Sequence, residues 1–222
     1  MNILFISLGC DKNLADSETM LGMLASRGYQ IVDEEEKADV IIVNTCCFIH
    51  DAMEESIETI LQMAEYKKSG SLKALIVTGC MAERYREEIT KEIPEVDAVL
   101  GTASYGHILD AVDEALKGHS YLMMEPLDTL PLIETHRLVT TGGHYAYLKI
   151  AEGCDKHCTY CIIPKLRGNF RSVPMDHLIK EAEQLATDGV KELILVAQET
   201  TLYGKDLYGE KKLPELLHKL CQ

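Results

Sequence analysis

Short runs of almost purely apolar residues alternate with amphipathic stretches through the first half of the chain. No other feature limits its possible folds as tightly. Val40, Ile41, Ile42 and Val43 fill one run, and Ala74, Leu75, Ile76 and Val77 another. A strand with one face in water alternates polar and apolar residues. An unbroken apolar strand is covered on both faces, as in a parallel sheet clothed by helices. The pattern predicts strands at residues 3–8, 39–45, 74–79 and 96–101, with a shorter one near 29–32. Helices at 16–27, 52–67, 81–92 and 104–116 fall between them, with Gly28 and Gly118 placed to end two of them. Residues 1–120 are therefore expected to form an α/β domain, an open parallel sheet flanked by helices.

Residues 121–143 break the rhythm. Pro126, Pro131 and the Gly142-Gly143 pair punctuate a stretch without a period, which marks an inter-domain linker. A second series follows: a strand at 144–150, a helix at 175–188, a strand at 193–197 and the start of a helix at 213–221. Residues 144–222 have room for two or three βα units at ~30 residues each, whereas a closed barrel needs eight units and ~250 residues. The series makes a small sheet or the chain stops inside a larger domain, and truncation is the expectation.

Charge is distributed unevenly. The chain carries 36 acidic and 22 basic residues, yet residues 1–136 hold 25 acidic against 10 basic and the remainder is nearly neutral. An acidic first domain repels nucleic-acid phosphates and favours a basic partner, although a merely solvated surface fits the same numbers. No apolar run reaches the ~18 residues of a membrane span, and the N-terminus lacks the basic region and cleavage site of a signal peptide. The expected location is the cytoplasm. There thiols stay reduced, so clustered cysteines are read as metal-binding or catalytic.

Eight cysteines are present. Cys154, Cys158 and Cys161 form a C-x3-C-x2-C loop just after the strand that ends at Ile150. Three thiolates this close suit a 4Fe–4S cluster with its fourth iron open to a ligand. A zinc site is the plainer alternative, but zinc prefers C-x2-C pairs, and His157 as fourth ligand sits between two of the cysteines. Tyr160 would offer an adenine ring a flat neighbour. The second grouping follows from topology. Cys10, Cys46 and Cys80 each stand just past a predicted strand, and ligands of open parallel sheets gather at the carboxyl ends of strands. These three are candidates for a second cluster, with Gly9 and Gly79 letting the backbone approach it. Cys47 is read as packing or as a spare thiol, and Cys221 as part of the core.

The segment Glu152-Gly153-Cys154-Asp155-Lys156-His157-Cys158-Thr159-Tyr160-Cys161-Ile162-Ile163-Pro164 resembles the signature of radical S-adenosylmethionine (SAM) enzymes. Preceded by Cys10, Cys46 and Cys80, it is similar to the methylthiotransferases. The stretches Ser7-Leu8-Gly9-Cys10-Asp11-Lys12-Asn13-Leu14-Ala15-Asp16-Ser17-Glu18 and Ala197-Gln198-Glu199-Thr200-Thr201-Leu202-Tyr203-Gly204-Lys205-Asp206-Leu207-Tyr208-Gly209 resemble the RimO branch. The tRNA-modifying MiaB branch would show a Gly-Cys-Gln-Met-Asn-type opening instead.

That resemblance implies residues 144–222 begin a radical SAM partial βα barrel. It implies an enzyme that inserts sulfur and a methyl group at the β-carbon of an aspartate in small-subunit ribosomal protein S-twelve. By the same resemblance, Cys154, Cys158 and Cys161 hold the SAM-binding 4Fe–4S cluster, whose electron cleaves SAM to methionine and a 5′-deoxyadenosyl radical. Cys10, Cys46 and Cys80 hold an auxiliary 4Fe–4S cluster that presents the sulfur, and a second SAM supplies the methyl. Flavodoxin or ferredoxin would donate electrons. Glu199 is a candidate for the SAM amino or ribose groups, with Gln198 and Tyr203 similarly placed. Arg167 and Arg171 are candidates for carboxylates, and Val173 stands where relatives often carry Arg. Asn13 and Asp16 are candidates to cap the helix after Cys10, Asp16 the better one. Two alternatives stay open, the same chemistry on a tRNA adenine and a non-enzymatic iron–sulfur or zinc module.

Overall fold

The computed structural model describes residues 1–129 and 136–222. They form two compact units. The first is Met1–Pro126 with the described part of Thr135–Leu138; the second is Val139–Gln222 with the described part of Leu127–Glu134.

The first unit runs β1 (Asn2–Ser7), α1 (Asp11–Ser26), β2 (Gln30–Val32), β3 (Val40–Thr45), α2 (His50–Lys68), β4 (Ala74–Gly79), α3 (Cys80–Tyr85), α4 (Glu87–Glu92), β5 (Ala98–Leu100), α5 (Ile108–Leu116) and β6 (Tyr121–Met123). Its six strands lie in the order β2-β1-β3-β4-β5-β6, each parallel to its neighbours. Every residue of β3 and β4 is buried, as their unbroken apolar sequences require. Ile3, Val40, Ile42 and Ile76 pack with Met20 and Leu24 of α1 and with Ile108 of α5. Each such side chain contributes about 1.5–3 kcal/mol by burial.

Three local features depart from the pattern read in the sequence. Tyr121–Met123, assigned to the linker, is the sixth strand of the sheet, with Val99 opposite Leu122. The helix expected over 81–92 breaks at Arg86, whose φ of 46° is left-handed. There the buried Glu83 accepts hydrogen bonds from Arg86 Nη2 at 3.1 Å and from the Thr102 amide at 3.1 Å, which draws the chain out of helix. The stretch 104–116 opens with a 3-10 turn, Tyr105–His107, before α5. Among the described residues, no helix is long and apolar enough to cross a membrane.

The second unit contains β7 (Tyr145–Lys149), β8 (Ala151–Glu152), α6 (Ile163–Arg167), β9 (Arg171–Ser172), α7 (Met175–Thr187), β10 (Glu192–Val196), α8 (Lys205–Tyr208) and α9 (Leu213–Leu220). β7 and β10 pair in parallel around the α7 crossover, and β8 pairs with β9 antiparallel. Leu148, Ile150, Leu178, Tyr203 and Leu216 form its core.

Candidate metal centres

In the first unit, register carries three cysteines to one edge of the sheet. Ser7 lies opposite Asn44, and Thr45 opposite Gly79. Cys46 and Cys80 thus extend adjacent strands, and Cys10 sits in the turn just past β1. Pairing continues through the Leu8 amide to Asn44 O at 2.9 Å. At Gly9 the backbone has φ of 92°, and a Cβ would stand 2.6 Å from Cys46 Cβ and 2.9 Å from Cys46 Sγ. Only glycine permits that approach.

Hydrogen bonds fix these strand ends. Ser56, fully buried on α2, accepts from the Cys46 amide at 3.0 Å and donates to Cys46 O at 2.8 Å. Asn13 Nδ2 donates to Leu8 O at 2.6 Å and to Thr45 O at 3.2 Å, binding the loop after β1 to the end of β3. Thr45 Oγ1 donates to Thr78 O and accepts from the Met81 amide at 3.2 Å. Asp16 is not a cap. The helix begins earlier, at Asp11, which leaves Asp16 buried within α1.

The three thiols differ in access: Cys10 is exposed, while Cys46 and Cys80 are buried. Cys47 is buried too. Burial first, then charge on Cys80 and Cys46, pushes its thiol up to about 11 against the opposing pull of Arg84. At neutral pH Cys47 therefore stays protonated, a poor metal ligand.

In the second unit, Cys154, Cys158 and Cys161 share an excursion between β8 and β9, whose pairing closes its two ends. The Cys154 amide donates to Gly168 O at 3.1 Å, the Phe170 amide to Asp155 Oδ1 at 2.7 Å and the Cys161 amide to Cys158 O at 2.9 Å. Gly153, at φ of 75°, leaves no space for a Cβ against the Asn169 carbonyl. His157 has φ of 44°, uncommon for a residue other than glycine. Tyr160 projects from the loop, 90% exposed.

A buried ionic network supports the excursion. The Glu152 carboxylate accepts from Arg167 Nη1 at 3.1 Å, Lys149 Nζ at 3.2 Å, Gln198 Nε2 at 2.9 Å and the Gly153 amide at 3.3 Å. Burial pushes this carboxyl up. The charges of Arg167 and Lys149, with hydrogen bonds from Gln198 and Lys149, outweigh burial and hold it below the ordinary carboxylate range. Gln198 Oε1 and Arg171 Nε are buried without hydrogen-bond partners among the described residues. Glu199 pairs with Lys156 of the cysteine loop and accepts from Thr201. The Lys156 bond, then those from Thr201, bring its carboxyl down to about 2.

Other residues flagged in the sequence have structural duties. Tyr203 is fully buried and donates its hydroxyl to Val173 O at 2.9 Å. Asp206 accepts from the Ser172 amide and hydroxyl at 2.8 and 2.6 Å. Arg167 is committed to Glu152. Sequence reasoning missed the parts played by Glu152 and Ser56, whose hydrogen bonds to Gln198 and to the Cys46 backbone follow no local pattern.

Three thiols in each unit offer the sulfur donors that an iron–sulfur cluster or a zinc ion takes. None of the eight cysteines is in a disulfide. Neither triad has its three sulfurs all within 4.8 Å of one another; among the described residues only the exposed trio His50, Asp51 and Glu54 meets that limit.

Comparison with known proteins agrees with both halves. A family model described as "Uncharacterized protein family UPF0004" matches residues 2–101, and the model of the Radical SAM superfamily matches residues 148–221. The first model falls within the first unit and the second within the second unit. A curated protein of Lachnoclostridium phytofermentans, "Ribosomal protein uS12 methylthiotransferase RimO", is 65% identical over 221 residues, covering 100% of this chain and 50% of that protein. A RimO protein of Clostridioides difficile is 51% identical, again over 100% of this chain and 50% of its own length. The chain spans about half the length of the curated relatives it matches. Among solved structures, the radical SAM methyltransferase TsrM from Kitasatospora setae, with cobalamin and a 4Fe–4S cluster bound, aligns with a TM-score of 0.56. At 9% identity, over 98% of this chain and 51% of that one, it shares the fold alone.

Proposed function

We propose that the protein carrying this chain is a cytoplasmic methylthiotransferase that adds sulfur and methyl to the β-carbon of an aspartate in ribosomal protein S-twelve. The reading rests on one combined observation. The identity to uS12 methylthiotransferases runs through both units, and it is supported by three cysteines that follow strand ends in the first unit and three that share one loop in the second.

Cys154, Cys158 and Cys161 would hold one 4Fe–4S cluster, and Cys10, Cys46 and Cys80 an auxiliary one. When bound, the first cluster supplies an electron, from a donor such as flavodoxin or ferredoxin, together with an open iron for SAM. The protein's own residues position and shield. Glu152 and Arg167 keep the cysteine loop in one shape from beneath. Tyr160 and Glu199 are proposed as SAM contacts, the ring against adenine and the carboxylate toward amino or ribose groups. Gly9 lets the β1 turn close on Cys46, while Cys10 stays accessible to an incoming substrate.

Mass spectrometry tests the substrate directly. The whole protein, reconstituted without oxygen, is supplied with SAM, sulfide and reductant beside purified S-twelve or unmodified tRNA. One methylthio group on an S-twelve aspartate is the expected product. A modified tRNA adenine beside unmodified S-twelve would transfer the chain to the tRNA branch. No SAM cleavage under strong reductant would leave only a binding module.

A further inference from the structure

Directly after Cys46 and Cys47 the chain turns outward and exposes two large apolar side chains, Phe48 at 56% and Ile49 at 57%. Ile57 and Leu61 on α2 are exposed as well. Ile49, Met53, Ile57 and Leu61 recur at every fourth position, which keeps them in one row along the helix. Met53 is half-buried and accepts from the Tyr85 hydroxyl at 3.2 Å, while Ile49, Ile57 and Leu61 stay exposed beside the buried side of α2, Ser56, Ile60, Met63 and Ala64.

Negative charge flanks it. Residues 46–66 contain Asp51, Glu54, Glu55, Glu58 and Glu65 and no lysine or arginine. Among the described residues, no lysine or arginine pairs with Asp51, Glu54, Glu55 or Glu58, and only His50 approaches Glu54, at 3.5 Å. An exposed apolar row rimmed by uncompensated charge marks an interaction surface. Its chemistry selects the partner. Nucleic acid and anionic lipid are repelled, and a second copy would set carboxylates against carboxylates. A polypeptide rich in lysine and arginine, carrying an apolar anchor, satisfies both features.

We infer that Phe48, Ile49 and the outward row of α2 dock a basic segment of the protein substrate. The inference rests on the substrate reading above and adds to it the surface that recognises that substrate. Two residues of chain reach at most about 7 Å, so a segment held on Phe48 lies next to the Cys46 edge of the sheet.

Binding assays on the whole protein test this. Dissociation constants are measured for purified S-twelve, and for a synthetic lysine–leucine peptide, at low and high salt. The variants are Phe48→Ser with Ile49→Ser, and Glu54→Lys with Glu58→Lys. Each pair should weaken S-twelve binding about ten-fold or more, and the charge reversal should flatten the salt dependence. Unchanged iron content and melting temperature would show that the variants are folded. S-twelve binding that stays within two-fold of wild type in both pairs overturns the surface and leaves the substrate reading standing. If S-twelve does not bind wild type while the peptide does and loses affinity in the variants, the surface stands and the substrate reading fails. Binding of neither probe overturns the surface. So does photo-crosslinking from position 48 into the protein's own chain, which would mean that another part of the protein covers the row.

Discussion

In the first unit, Cys10, Cys46 and Cys80 lie far apart in sequence and are carried to one edge because β1, β3 and β4 are neighbours in one sheet. In the second, Cys154, Cys158 and Cys161 occupy one short loop and need no fold to bring them near. The first site is therefore as stable as the sheet: buried strands, an α2 serine and Asn13 hold its strand ends. The second depends on a few polar contacts, chiefly those of Glu152, to give its loop a single shape. Sites of the first kind open with the whole domain, whereas those of the second open locally.

The largest difference between the two should come from Glu152→Ala. Truncation strands Arg167, which is 3% exposed at its side chain, without its carboxylate. Breaking such a buried pair costs about 3–5 kcal/mol. Melting followed unit by unit by hydrogen exchange should show the loss in the second unit, with reconstituted iron lost there and kept in the first. Equal destabilisation of both units would erase the distinction. Acid sharpens it further. A depressed carboxyl contributes stability that is present above its unfolded value of about 4.3 and is lost as pH falls toward the lower folded one. The second unit of wild type should thus weaken below about pH 4, and Glu152→Gln should lose that pH dependence.

A smaller effect is expected from Ser56→Ala, which removes both bonds to the Cys46 backbone and leaves a buried amide unpaired. The cost is about 1–3 kcal/mol, read as a lower melting temperature and faster exchange of the Cys46 amide. An unchanged exchange rate would mean that the clamp contributes nothing.

Much of this was legible beforehand because strong patterns leave few choices. Val40-Ile41-Ile42-Val43 can hardly be anything but a central strand, and once the strands are parallel, residues after their carboxyl ends fall on one edge. Tyr121–Met123 escaped notice because three half-exposed residues carry no period. The helical pattern is interrupted at Arg86, where Glu83 accepts from both the Arg86 guanidinium and the Thr102 amide, and no local signal announces the Thr102 contact. Glu152 was visible only as part of a motif, since its partner Gln198 is set by tertiary packing. The tail of the motif around Tyr203 and Asp206 stood out in sequence, yet those side chains brace the end of β9 and the residue after it.

The smallest effect concerns reactivity. With its thiol near 11, Cys47 is about a thousandth ionised at pH 8. In protein stripped of metal, iodoacetamide should modify the exposed Cys10, Cys158 and Cys221 first and Cys47 last. The Cys47 rate should rise steeply as pH approaches 11. Labelling of Cys47 alongside Cys10 at pH 8 would mean that the first edge is looser than the sheet implies.

Two independent cluster sites are the central claim, and iron with acid-labile sulfide per chain tests it most directly. The whole protein is reconstituted without oxygen as wild type, with Cys10, Cys46 and Cys80 changed to Ala, and with Cys154, Cys158 and Cys161 changed to Ala. About eight irons in wild type and about four in each triple variant are expected. A wild type holding no more than about four irons, or zinc in their place, would contradict it.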